Sequence, residues 1–159
     1  MKKVVSVTRL VVAGYATLLL AGCSFRVQTF VLAPGTQHGW VTIEEGNSTC
    51  PSLPEATVFH TINIPESRVL CTSSPTYLGR VYERYALLDS DGSSSALKIG
   101  DLIHQRASFT VGEPGRPCNF SGMEFFYGPR DSITGNNPTL NDAAYLARYH
   151  PDCRGAVHQ

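Results

Sequence analysis

Lysine is almost missing from this 159-residue chain: there are three, and two of them, Lys2 and Lys3, stand at its start. Past residue 22 only Lys98 remains, with nine arginines scattered between Arg26 and Arg154 among 13 acidic residues. A nucleic-acid binder needs a basic stripe to meet phosphates, so nucleic acid is excluded as a partner. Long apolar runs are missing too. The longest, Leu10 to Ala21, spans 12 residues, short of the roughly 20 that a spanning helix requires. No two cysteines have the C-x-x-C spacing of a zinc knuckle. His38, His60, His104, His150 and His158 show neither H-x-x-x-H nor H-E-x-x-H spacing, which would put two ligands on one helix face. There is no G-x-S-x-G elbow to hold a nucleophilic serine; the nearest string, Asn119 to Gly122, lacks the leading glycine. No metal and no cofactor are expected.

What is present begins at the amino terminus. A cationic start, an apolar stretch and small residues before Leu20, Ala21, Gly22 and Cys23 have the layout of an export signal. The string itself resembles the lipobox of bacterial lipoproteins. That resemblance implies a diacylglyceryl group on the thiol of Cys23, cleavage just before it and acylation of the new amino terminus. Each buried methylene contributes about 0.8 kcal/mol, so several chains hold a protein firmly where one holds it reversibly. Residues 1–22 are then the signal peptide and 23–159 a single domain of modest core. Without the signal, 10 basic residues face 13 acidic ones, a formal charge of −3. Ser24 in place of aspartate, by resemblance to enterobacterial sorting, favours an outer membrane with the domain facing the periplasm.

Beyond Cys23 there are four cysteines, Cys50, Cys71, Cys118 and Cys153, an even number in a chain bound for a disulfide-permissive compartment. Of the three connectivities, the expected one joins Cys50 to Cys71 as a local clasp and Cys118 to Cys153 as a staple for a tail with little core of its own.

Apolar and polar residues alternate with period two at Val27–Leu32, Gly39–Glu45, Thr57–Ile64, Val69–Thr72, Arg80–Leu88, Leu97–Ile99, Leu102–Val111 and Glu124–Tyr127, each bounded by turn residues. Seven or eight short strands predict an all-β antiparallel sandwich, or a barrel-like one. Asp89 to Gly92 reads as a hairpin, and Ser93 to Ser95 as loop. One short C-terminal helix is expected, capped by Asn141 and docking a stripe of Leu140, Ala144 and Ala147 before Pro151 ends it.

Five segments in order carry a second resemblance: FVLAPGTQHGWV from Phe30 to Val41, the turn Ile64 to Ser67, Thr72 to Pro75, Glu83 to Asp91, and MEFFYGPRDSI from Met123 to Ile133. Together they resemble an uncharacterised bacterial family of small domains of unknown function, over Val27 to Ile133. The resemblance implies an all-β exported domain and brings no activity. Arg68 stands where the family tends to have glycine and Tyr127 where valine is usual; the tail after Ile133 has no counterpart.

For chemistry, Glu44 and Glu45 point to opposite faces of one strand and read as a solvated strand end. In the tyrosine-bearing strand, Tyr82 and Arg84 share one face, Glu83 and Tyr85 the other. Trp40, Tyr82 and Arg84 are the candidate surface for an envelope protein or glycan partner, against ordinary cross-strand packing. The function expected is that of a lipid-anchored, non-enzymatic structural or binding module of the cell envelope, held to the membrane by acyl chains on Cys23. The alternative is a small periplasmic hydrolase acting on glycan.

Overall fold

The computed structural model describes residues 26–55, 58–74, 81–112 and 118–153 of the protein; the expected signal peptide and Cys23 lie outside them. Eight strands form: β1 Arg26–Leu32, β2 Gly39–Glu45, β3 Phe59–Ile64, β4 Val69–Cys71, β5 Val81–Leu88, β6 Ser94–Leu97, β7 Ile103–Val111 and β8 Phe120–Tyr127. One sheet, A, has the order β3-β1-β5-β6, and the other, B, β4-β2-β8-β7. Alternation decides what each strand buries. Phe30, Leu32, Ile62, Ile64 and Tyr85 from sheet A meet Val41, Ile43, Ile103, Met123, Phe125 and Tyr127 from sheet B in one core. At its centre Phe125 lies edge-on to Tyr85, with ring centroids 4.9 Å apart, a geometry that suits the ring quadrupoles.

The all-β sandwich with one short helix is as the sequence indicated, but the pairing is mixed rather than antiparallel throughout. β1 pairs in parallel with both β3 and β5, and β2 with β4; the remaining ladders are antiparallel. The reason is connectivity. Through its first five strands the chain alternates between sheets, so each return to a sheet comes after an intervening strand and runs in the original direction. Residue periodicity is the same in both ladder types and carries no trace of this.

Two local readings also change. β6 is Ser94–Leu97, earlier than Leu97–Ile99, because the Asp89–Gly92 turn closes with Asp89 N–H donating to the Ser93 carbonyl at 2.8 Å and sets Leu88 opposite Ser94. Ser95, read as loop, is therefore in a strand, its hydroxyl on the Asp89 carboxylate at 2.9 Å. β8 starts at Phe120, not Glu124.

Arg68 takes φ +62°, the left-handed region that glycine enters at no steric cost. The arginine is held there by its own side chain, whose Nη1 donates to the carbonyl oxygens of His38 at 2.6 Å and Gln37 at 3.3 Å. It occupies the space a Cβ on Gly39 would need, 2.0 Å from its position, so the arginine and the glycine before Trp40 go together.

After Ile133 the chain makes a 3-10 turn at Pro138–Asn141, the helix α1 at Ala143–Tyr149 and a second 3-10 turn at Pro151–Cys153. The cap of α1 is Asp142, not Asn141: its Oδ1 accepts from the backbone N–H groups of Ala144 at 2.7 Å and Tyr145 at 2.9 Å. Tyr145 and Leu146 face inward and Ala144 is exposed, so the expected alanine stripe is not the docking face. Tyr145, Leu146 and Cys153 pack with Phe120 in a second, smaller core on the outer face of sheet B.

The cysteines join Cys50 to Cys71 and Cys118 to Cys153, the connectivity chosen above, which uses up the thiolates a zinc site would need. The second bond spans 35 residues and ties the tail to the β8 side of sheet B. Replacing Cys118 and Cys153 together by serine is expected to cost about 3–4 kcal/mol on loop entropy, seen as a lower urea midpoint. Hydrogen exchange should show α1 opening first while β1 and β2 amides stay protected. Equal loss of protection in β2 would show that tail and sandwich unfold as one.

Candidate functional site

The most concentrated chemistry lies under the tail. Val41 and Ile43 face the core, so Thr42 and Glu44 of β2 face away from it, where solvent would be if sheet B had a bare outer face. Both are instead fully buried. Glu44 Oε2 accepts from the Tyr145 hydroxyl at 2.5 Å and from His150 Nε2 at 2.8 Å, and Oε1 accepts from Asn47 Nδ2 at 2.7 Å. Asn137 donates to Thr42 Oγ1 and to Glu124 Oε2, each at 2.9 Å. The His150 ring stacks on Phe120 with centroids 3.9 Å apart. Burial first, then the bond to Glu44 and its negative charge, push the Tyr145 hydroxyl well above the usual tyrosine range. The reading of Glu44 as a solvated strand end is corrected, and the cause is the tail, which brings its partners from about a hundred residues later.

Beside this cluster opens a polar cleft of about 410 Å³, lined by Glu44, Glu45, Asn47, Ser121, Tyr149 and His150 among others. Its floor is a carboxylate and an imidazole already bonded to each other. Chemically it offers hydrogen-bonding groups to a small polar ligand.

A second polar group sits between the sheets. Glu83 and Tyr85 do share a face, as their spacing indicated, and it is the inner one: the Tyr85 hydroxyl donates to Glu83 Oε2 at 2.8 Å, and Arg106 pairs with the same oxygen. Burial, followed by the charge and hydrogen bond of Glu83, raises the Tyr85 hydroxyl as well. Arg106 reaches inward because β7 carries a one-residue bulge between His104 and Ala107, with Gln105 at φ +47°. Without the extra residue the alternation from inward-facing Ile103 would turn Arg106 outward. In the same row of sheet A, Gln28 and His60 are paired with Glu83 across β1; their Nε2 atoms are buried without hydrogen-bond partners.

The candidate surface of Trp40, Tyr82 and Arg84 is not one surface. Tyr82 and Arg84 lie together on the outer face of sheet A, the guanidinium 5.6 Å from the ring centroid. Trp40 is on the outer face of sheet B, half-buried and edge-on to Phe126 at 5.7 Å. Spacing within a strand gave the pair; only sheet membership separates it from the tryptophan. His104 bonds through Nε2 to the Asp101 carbonyl oxygen at 2.8 Å, a backbone contact within its own segment. Cys23 falls outside the described residues. No local pattern marks Tyr145, His150 or Arg106, since each is recruited by a fold contact or a bulge; Asn47, also not anticipated, comes from the loop just after β2, three residues from Glu44.

No protein-family model and no curated protein matches the chain. Among solved structures, the crystal structure of a Bacillus anthracis protein provisionally named a lipoprotein is similar in fold, with a TM-score of 0.53 over 81% of this chain and 92% of that one, at 14% sequence identity. The class defined here is a two-sheet β-sandwich with a disulfide-tied tail packed on one sheet.

Proposed function

We propose that the protein is a lipid-anchored component of the bacterial cell envelope, a structural or binding module and not a catalyst. The observation that carries this reading is the place of Cys23: it ends a lipobox-like string and stands three residues before β1, so the fold follows the acylation point directly. The provisional name of the B. anthracis protein with a similar fold supports the lipoprotein part. The module part is supported by Glu44 and Glu83, whose carboxylates are bonded to internal donors. The domain of unknown function resembled over Val27 to Ile133 and the outer-membrane, periplasm-facing location implied by Ser24 belong to the same proposal.

Metabolic labelling with a fatty acid tests the anchor. Wild type incorporates label and is cleaved before Cys23, whereas Cys23→Ser incorporates none and accumulates as precursor, a complete loss. Label in the serine variant, or none in wild type, refutes the reading. A second reading, a small glycan hydrolase, is favoured by the polar cleft with Glu44 and His150 in its lining. It would gain the lead if purified protein cleaved envelope glycan and His150→Gln abolished cleavage with the unfolding midpoint unchanged.

A further inference from the structure

Three peptide steps separate Cys23 from Arg26, the first residue of β1, and at about 3.3–3.6 Å each they reach no farther than roughly 11 Å. If Cys23 is acylated, on which reading this inference rests, the first row of sheet A is held within headgroup distance of the bilayer. That row is unusual. Val27 of β1 is in register with Phe59 of β3 on one side and Tyr82 of β5 on the other. All three point to the outer face of sheet A, since Gln28, Phe30 and Leu32 alternate inward. Phe59 is 71% exposed and Tyr82 55%, with Val27 buried between them, and Val58, just before Phe59, is 49% exposed. Three of the four large hydrophobic residues most exposed among the described residues therefore gather where the chain meets its anchor; the other, Ile99, lies beyond β6.

Charge follows the same axis. On the outer face of β3, β1 and β5 stand Thr61, Asn63, Thr29, Val31, Ala86 and Arg84, with no acid among them. Arg26 opens β1 at the same end. Asp89 and Asp91 come after β5, at the end of that strand farthest from Tyr82. Aromatic rings flanked by arginine suit the interfacial region of a membrane, where rings settle at headgroup level and cations meet anionic lipid.

We propose that the Phe59–Val27–Tyr82 row is a membrane-docking edge, resting in the interfacial region of the bilayer that holds the acyl chains. Phe59 enters the headgroup layer, and Arg84, beside Tyr82 on the same outer face, faces the phosphates. The anchor alone would leave the domain free to tumble about its tether; the row fixes the starting ends of β1, β3 and β5 toward the lipid and holds the Asp89–Gly92 turn at the far end away from it.

The test uses the full acylated protein in vesicles of phosphatidylethanolamine and phosphatidylglycerol, with Trp40→Phe to remove the native indole. An indole is placed by Phe59→Trp in one variant and by Asn63→Trp in another, four residues farther along β3 and thus about 13 Å higher. Brominated lipid is expected to quench the indole at position 59, with a blue-shifted emission, and to leave that at position 63 unquenched. Equal quenching at both positions, or none at 59 while acylated protein floats with the vesicles, overturns the docking edge and leaves the anchor standing. A blue shift at 59 without lipid quenching means that protein covers the row, and also overturns it. Protein that carries no lipid by mass and does not float refutes the lipoprotein reading, and this proposal with it.

Discussion

Truncating Glu44 to alanine is expected to lower the unfolding free energy by about 2–5 kcal/mol, on the scale of about 1–3 kcal/mol for each buried polar group left unpaired. The Tyr145 hydroxyl and the His150 ring would both lose their acceptor in a place shut off from water, and Asn47 would lose a bond at the edge of the cleft. The damage should fall first on the tail, because two of the three donors, Tyr145 of α1 and His150 just after it, belong to the tail. Hydrogen exchange in α1 should accelerate more than in β1 or β8. Glu44→Gln keeps one carbonyl oxygen for the two buried donors and should lose less than alanine. Urea unfolding of the two variants checks this: equal midpoints for alanine and wild type would mean that the cluster adds nothing to the hold on the tail.

Alkaline pH should weaken the fold steeply. Tyr85 and Tyr145 both have hydroxyls raised above the ordinary tyrosine value, by burial first and then by a hydrogen-bonded carboxylate; burial moves Tyr127 the same way. An unfolded tyrosine titrates near 10. A folded value above the unfolded one means the contribution is fully present below about pH 10 and is lost as pH climbs toward the folded value, because the unfolded chain releases the proton first. Across that window each such tyrosine removes up to about 1.4 kcal/mol per pH unit, and the two hydrogen-bonded ones together up to about 2.7. Urea midpoints should be level from about pH 7 to 9 and fall sharply above 10. Tyr145→Phe should be less stable at neutral pH and show a shallower fall. A midpoint that holds steady to about pH 11.5 would contradict the buried bonding of both hydroxyls.

Strand positions were legible because a half-buried strand writes its burial into period-two alternation: β2 falls at Gly39–Glu45 as read, and β1, β3, β4, β5 and β7 begin and end within two residues of the readings. Where alternation is interrupted the reading slipped. Serines in β6 look like loop until the Asp89 turn fixes their partners, and β8 was shortened at Gly122, which lies with its would-be Cβ 2.0 Å from the Ile43 carbonyl oxygen. The helix was legible, but its docking face was not: Tyr145 and Leu146 are the buried side chains, and Tyr145 lies one position, about 100°, around the helix from Ala144.

The sequence by itself determined the lipobox-like string, the all-β class, the short late helix and the shared face of Glu83 and Tyr85, all of which depend on neighbours within a few residues. Tertiary structure alone decided that β1 takes parallel partners, that Trp40 and Tyr82 stand on different sheets, and that Glu44 is buried beneath residues 145 and 150. Those outcomes depend on which sheet a strand joins and on which surface a tail covers. Such choices are set by the summed packing of distant segments, so no single stretch of chain carries them.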